Sequence, residues 1–157
     1  MIACGAITIA PSDPFPQKLK TIYAELRALL AEHRPDFVAI ENVFHAANAR
    51  SALRLGHARG VAMLAAVEAA VPIVEYSPAE VKQSIVGYGR AEKVQVQSMI
   101  TLLLGLPAPP STFDASDALA IALCHLHKMN LRGAGAALVP SKPANKAASW
   151  RAFRLPR

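Results

Sequence analysis

Apolar residues recur along this chain at two periods, and the switches between them mark its elements. Residues 2–9 (Ile-Ala-Cys-Gly-Ala-Ile-Thr-Ile) end in a β-branched alternation and predict a strand. Residues 11–16 form a proline-rich turn in which Ser12 or Asp13 can cap a helix. Leu19, Ile22, Tyr23, Leu26, Leu29 and Leu30 then repeat at threes and fours, an amphipathic helix that stops at Arg34-Pro35. Phe37-Val38-Ala39-Ile40 is a short apolar run ending abruptly in Glu41, which reads as a buried strand. A loop over 42–46 leads to a helix over 47–70. Its second half, Gly60 to Val67, is apolar all round and predicts burial on more than one face. Gly56 and Gly60 each weaken that helix by roughly 1 kcal/mol relative to Ala. Close packing against the sheet or a second subunit would account for them.

Pro72 to Tyr76 predicts another strand. Ser77-Pro78 opens a helix to Val86, with Ser77 as N-cap and Glu80 behind it. Gly87-Tyr88-Gly89-Arg90 is a turn. A helix comes next over 91–104, then a proline-rich loop over 107–111 and a last helix over 114–129. Residues 131–157 show little periodicity and predict a disordered basic tail after an α/β domain over 1–130.

Charge changes this picture in one respect. The formal net charge is +6, yet residues 131–157 hold six Lys or Arg and no acidic residue. The predicted domain is therefore almost neutral, and any affinity for nucleic acid has to come from local patches. Cys4 and Cys124 are far apart and make no disulfide framework, which fits a reducing, cytoplasmic setting. The longest apolar run is too short to span a bilayer, and no signal-peptide pattern stands at the start, so no membrane partner is expected.

Carboxylates supply the candidate chemistry. An ionised carboxylate is costly to bury unless it is paired or binds a metal. Glu41 therefore marks either the point where its strand reaches solvent or a cleft at the strand's C-terminal end. Asp114 and Asp117, three apart at a helix start, share one face and can either cap the helix or bind a cation. Together with Glu41 they make an oxygen-ligand set suited to Mg²⁺, and two such ions can clamp the attacking and leaving oxygens of a phosphodiester. Arg50, Arg54 and Arg59 on the long helix, and Lys82, Arg90 and Lys93 around the glycine turn, are either solvated faces or phosphate contacts. Phe44 is an apolar residue in a loop, able to fold inward or to stack on bases. Cys124, His125 and His127 lack zinc spacing and read as packing or surface residues. Ser51, Ser84 and Ser98 lack a His/Asp pattern that would make a nucleophile.

Five ordered blocks then resemble the RuvC family of Holliday junction resolvases: residues 39–44, 48–60, 76–83, 86–97 and 114–120. The resemblance implies an RNase H-like fold, a mixed five-stranded sheet flanked by helices. It implies a homodimer that makes paired symmetric nicks in four-way junction DNA, using Mg²⁺ with Mn²⁺ as a substitute, and that works with the RuvA-RuvB branch-migration complex in a bacterial cytoplasm. Glu41, Asp114 and Asp117 match three of the family's four metal-holding carboxylates. Phe44 matches its base-contacting aromatic, and Lys82 and Lys93 match basic residues serving DNA contact and cleavage. The family's first carboxylate, on a Gly-Ile-Asp-type first strand, has no match. The resemblance thus implies a sequence incomplete at its N-terminus, lacking the first two strands and giving little cleavage as written. Two alternatives stay open: a non-catalytic junction-binding or dimerisation fragment, and a related RNase H-like nuclease acting on RNA.

Overall fold

The computed structural model describes residues 1–42 and 48–135. Its elements run α1 (Phe15–His33), β1 (Val38–Glu41), α2 (Ala49–Glu68), β2 (Ile73–Tyr76), α3 (Pro78–Val86), α4 (Lys93–Leu103) and α5 (Phe113–Gly135). Among the described residues the sheet is a parallel β1–β2 pair, with Val38 opposite Ile73 and Glu41 opposite Tyr76. The helix α2 makes the crossover that parallel pairing requires. This is the α/β arrangement expected, on a smaller sheet.

The strand predicted over residues 2–9 does not form; residues 1–10 are irregular. A β-branched alternation makes a strand only where a neighbour satisfies its backbone groups. Among the described residues none does. Met1, Cys4 and Ala6 instead line a recess with Leu106, Pro107 and Ala115.

Local signals set most helix ends. Pro14 stands at the start of α1 with no side-chain cap, so neither Ser12 nor Asp13 fills that role. Arg34, before Pro35, closes α1 in the left-handed region at φ 43°, its amide donating to Leu30. Ser77 and Glu80 form a reciprocal capping box at α3. Gly87 closes α3 at φ 91°, where a side chain would be strained. A Cβ on Gly89 would lie 3.3 Å from the Ala79 carbonyl oxygen, so the turn can press against the start of α3. The last helix continues to Gly135, past the predicted end at 129; the rest of the predicted tail lies outside the described residues.

The core lies among α3, α4, α5 and β2. Tyr76, Val81, Ile85, Ala91, Val96, Ile100, Ala120 and Cys124 are buried together. The Glu80 carboxylate pins α5 to α3 through Lys128 at 2.7 Å, and Ser84 Oγ meets His127 Nδ1 at 3.1 Å. His125 Nδ1 meets the Tyr76 hydroxyl at 2.8 Å.

The second half of α2 departs from expectation. Only Ala65 and Ala66 are buried, while Leu64 is 51% exposed. One face meets α1 and β2. Beside the contact with α1, Leu53, Gly56, Gly60, Val61 and Leu64 border an open apolar groove shared with Leu19 of α1. A Cβ on Gly56 or Gly60 would meet no atom within 4 Å, so the sheet does not explain these glycines.

Candidate active site

The site grows from the C-terminal end of β1. The strand forms because Val38, Ala39 and Ile40 suit a half-buried pleat, and β2 fixes its register. The ladder closes just beyond Glu41, where the Asn42 amide donates to the Tyr76 carbonyl at 2.7 Å. Glu41 is half-buried at this end. Burial pushes its carboxyl pKa up, the negative charge of Asp117 pushes it further, and Lys93 and Lys82 oppose both. Residues from β1, α3, α4 and α5 thus act on one another here.

Asp117 sits in the first turns of α5, half-buried, with its Oδ2 3.2 Å from Lys93 Nζ. Lys93 is the first residue of α4, brought there by the Gly87–Arg90 turn. Asp114 lies nearly one turn earlier and is exposed. Neither aspartate is seen capping α5. The Thr112 hydroxyl accepts the Ala115 amide at 3.1 Å, which is the N-cap bond. Capping was the competing explanation for the pair, and Thr112 supplies it instead.

The other basic residues separate into groups. Lys82 is half-buried and close enough to act on Glu41. Arg90 is exposed on the glycine turn, and Arg50 is exposed at the start of α2. Arg54 places its guanidinium over the Phe15 ring at 5.9 Å, a cation–π contact with the start of α1. Arg59 is engaged within the fold: its Nη2 lies 2.6 Å from Glu75 Oε2, and its Nη1 donates to the Glu41 carbonyl oxygen. Phe44 lies outside the described residues. Sequence reasoning missed Thr112 and Glu75. Glu75 carried no burial signal, since its side chain is exposed on β2 and an exposed carboxylate needs no partner.

Among the described residues no three His, Cys, Asp or Glu side chains gather as a metal cage. The arrangement is sparser: two carboxylates in electrostatic contact at a strand end, a third nearby in sequence on the same helix, and two lysines around them. Such a set can hold a hard cation with open positions, or place a phosphate between cation and lysine. No described helix is long and apolar enough to cross a membrane.

The sequence pattern of the family described as crossover junction endodeoxyribonuclease RuvC matches residues 1–125. The crossover junction endodeoxyribonuclease RuvC of Koribacter versatilis is 53% identical over 126 residues, covering 80% of this chain and 76% of that protein. That of Pelobacter propionicus is 50% identical over 150 residues, covering 96% and 82%. Among solved structures, Thermus thermophilus RuvC matches with TM-score 0.73 at 35% identity, over 80% of this chain and 75% of that one. The same protein in complex with Holliday junction substrate matches with TM-score 0.75 at 35% identity, over 80% and 76%. The α/β arrangement is therefore RNase H-like, and the chain belongs to the RuvC family of crossover junction endodeoxyribonucleases.

Proposed function

We propose that this chain serves as a resolvase of four-way DNA junctions, hydrolysing phosphodiesters with a divalent cation held by Glu41, Asp117 and Asp114. The observation that carries the reading is the placement of Glu41. It stands half-buried at a strand end, its pKa raised by burial and by Asp117, with Lys82 and Lys93 beside it. Two carboxylates that repel each other in a partly desolvated site suit a cation, and this donor set fits Mg²⁺, which takes few carboxylates and keeps sites for water and phosphate oxygens. Mn²⁺ fits the same oxygen donors. The cation would supply positive charge at the attacking and leaving oxygens.

The chain's own residues do the rest. Lys93 pairs with Asp117 and, being exposed, can also offer its charge to a phosphate oxygen. Lys82 offers a second positive charge on the same side. Arg50, Arg54 and Arg90 are exposed and can track the DNA backbone, giving salt-dependent affinity. Phe44, three residues beyond Glu41 in the sequence, is the candidate for a base contact by its match to the family's aromatic. The apolar groove of α2, with Gly56 and Gly60 open to close approach, suits a second copy of the chain and hence a homodimer able to cut both strands. RuvA-RuvB is the partner that family membership suggests for the junction-bound state.

The test is an end-labelled synthetic four-way junction. The chain is assayed alone and with the family's first two strands, which carry the Gly-Ile-Asp-type motif, placed before it. Junction binding in preference to linear duplex is expected from both, with paired symmetric nicks from the extended form in Mg²⁺. Binding without nicking by both would favour the non-catalytic reading. Equal cleavage of linear duplex would remove the junction claim, and faster cleavage of RNA would favour the RNA nuclease.

A further inference from the structure

We infer that Arg59 and Glu75 form a positioning clamp for Glu41, and that Arg59 does not serve as a DNA contact. Three elements meet at this guanidinium. Arg59 comes from α2, Glu75 from β2 opposite Ile40, and the Glu41 carbonyl from the last residue of β1. One arm of the fork takes the Glu75 carboxylate at 2.6 Å, and the other donates to the Glu41 carbonyl. The Arg59 side chain is only 20% exposed, so little of its charge faces solvent or a phosphate. A planar guanidinium with fixed donors can hold two acceptors at a set angle, which an ammonium cannot reproduce.

The carbonyl matters because of its place in the chain. Glu41 is the last paired residue before residues 43–47, and its half-buried side chain has to be held at the strand end by its own backbone. The Asn42–Tyr76 bond fixes one side of that backbone, and Arg59 fixes the Glu41 carbonyl itself. Glu75 keeps Arg59 in place and balances its charge. This inference assigns Arg59 a different task from the phosphate contact suggested by its position on a basic helix. Its consequence for cation binding rests on the function proposed above.

The clamp can be tested in the full chain with Arg59→Gln, Glu75→Gln and the double variant; Arg59→Lys keeps the positive charge if the Gln variant folds poorly. Three readouts separate the possibilities. Hydrogen exchange by NMR reads the Asn42 amide without any ligand. We expect about tenfold faster exchange in either single variant, no further gain in the double, and Arg59→Lys resembling Arg59→Gln; unchanged exchange would overturn the clamp. Mn²⁺ affinity, read by electron paramagnetic resonance, is expected to weaken several-fold in each single variant. Junction binding in EDTA is expected to keep its affinity and its salt slope. A DNA contact would instead lower the slope by roughly one in Arg59→Gln and leave Glu75→Gln unaffected or tighter, and that pattern would also overturn the clamp. If the parent chain binds neither Mn²⁺ nor junction, the proposed function fails while the exchange measurement still decides the clamp.

Discussion

The body built from α3, α4 and α5 and the arm built from α1 and α2 both carry amphipathic helices, but they bury them differently. In the body, Val81, Ile85, Val96, Ile100 and Cys124 share one core, and the Glu80–Lys128 pair staples two helices across it. In the arm, α1 has no fully buried residue, and α2 has two alanines. The body presents Lys82, Lys93, Asp114 and Asp117 on a firm base. Glu41 comes from β1, between the arm's two helices, and leans on the body through β2 and α5. The candidate site thus lies where a rigid unit meets a looser one. A group that must be held against its own electrostatic cost needs local fastening there.

Truncating the two cores should show this contrast most strongly. Ile100 is fully buried, and Ile100→Ala is expected to cost about 3 kcal/mol by urea denaturation. Leu64→Ala removes a half-exposed side chain and should cost well under 1 kcal/mol in the monomer. Equal losses would mean that the arm's apolar face is covered in solution. A smaller effect is expected at Gly56. Its Cβ position is open, so Gly56→Ala should stabilise the isolated chain by about 1 kcal/mol through helix propensity. If a second copy packs against α2, the same change should weaken self-association in sedimentation equilibrium.

The smallest expected effects concern pH, and the two regions should respond with opposite signs. Glu80 is held down to about 2 from the ordinary 4.5 by Lys128 and by Ser77. Its contribution is present above pH 4.5 and is lost as pH falls toward 2. Its high exposure keeps that contribution modest. Glu41 is shifted upward, so its burden is absent below 4.5 and grows as pH rises through its shifted pKa. In EDTA, Glu80→Gln should flatten the acid limb of the melting-temperature profile. Glu41→Gln should raise the melting temperature at neutral pH. A Glu41→Gln variant that melts lower there would show that its carboxylate is already compensated.

What could be read from the sequence was mostly local. The Ser77–Glu80 box, the glycine turn and the end of α1 at Arg34 each depend on residues within a turn of one another. The Ile2–Ile9 segment misled because strand pairing is set by distant neighbours that its alternation does not specify. All-round apolarity in α2 predicted burial but could not say which surface would meet it. At the site, Glu41 was legible because a carboxylate ending an apolar run is expensive. Arg59 was read as a solvated or phosphate-facing cation because its partner Glu75 lies on a different element, β2. Thr112 was overlooked because two aspartates nearby offered themselves for the same cap.

Thr112 has one more consequence. Because a neutral hydroxyl starts α5, the two aspartates are not required to start the helix. If they hold the cation as proposed, their replacement by asparagine is expected to remove reactivity without a matching loss of architecture. Asp114→Asn and Asp117→Asn would then be silent decoys, folded like the parent and able to sit on the same substrate indefinitely. On the proposed function, cleavage is expected to stop at this position while junction binding is kept.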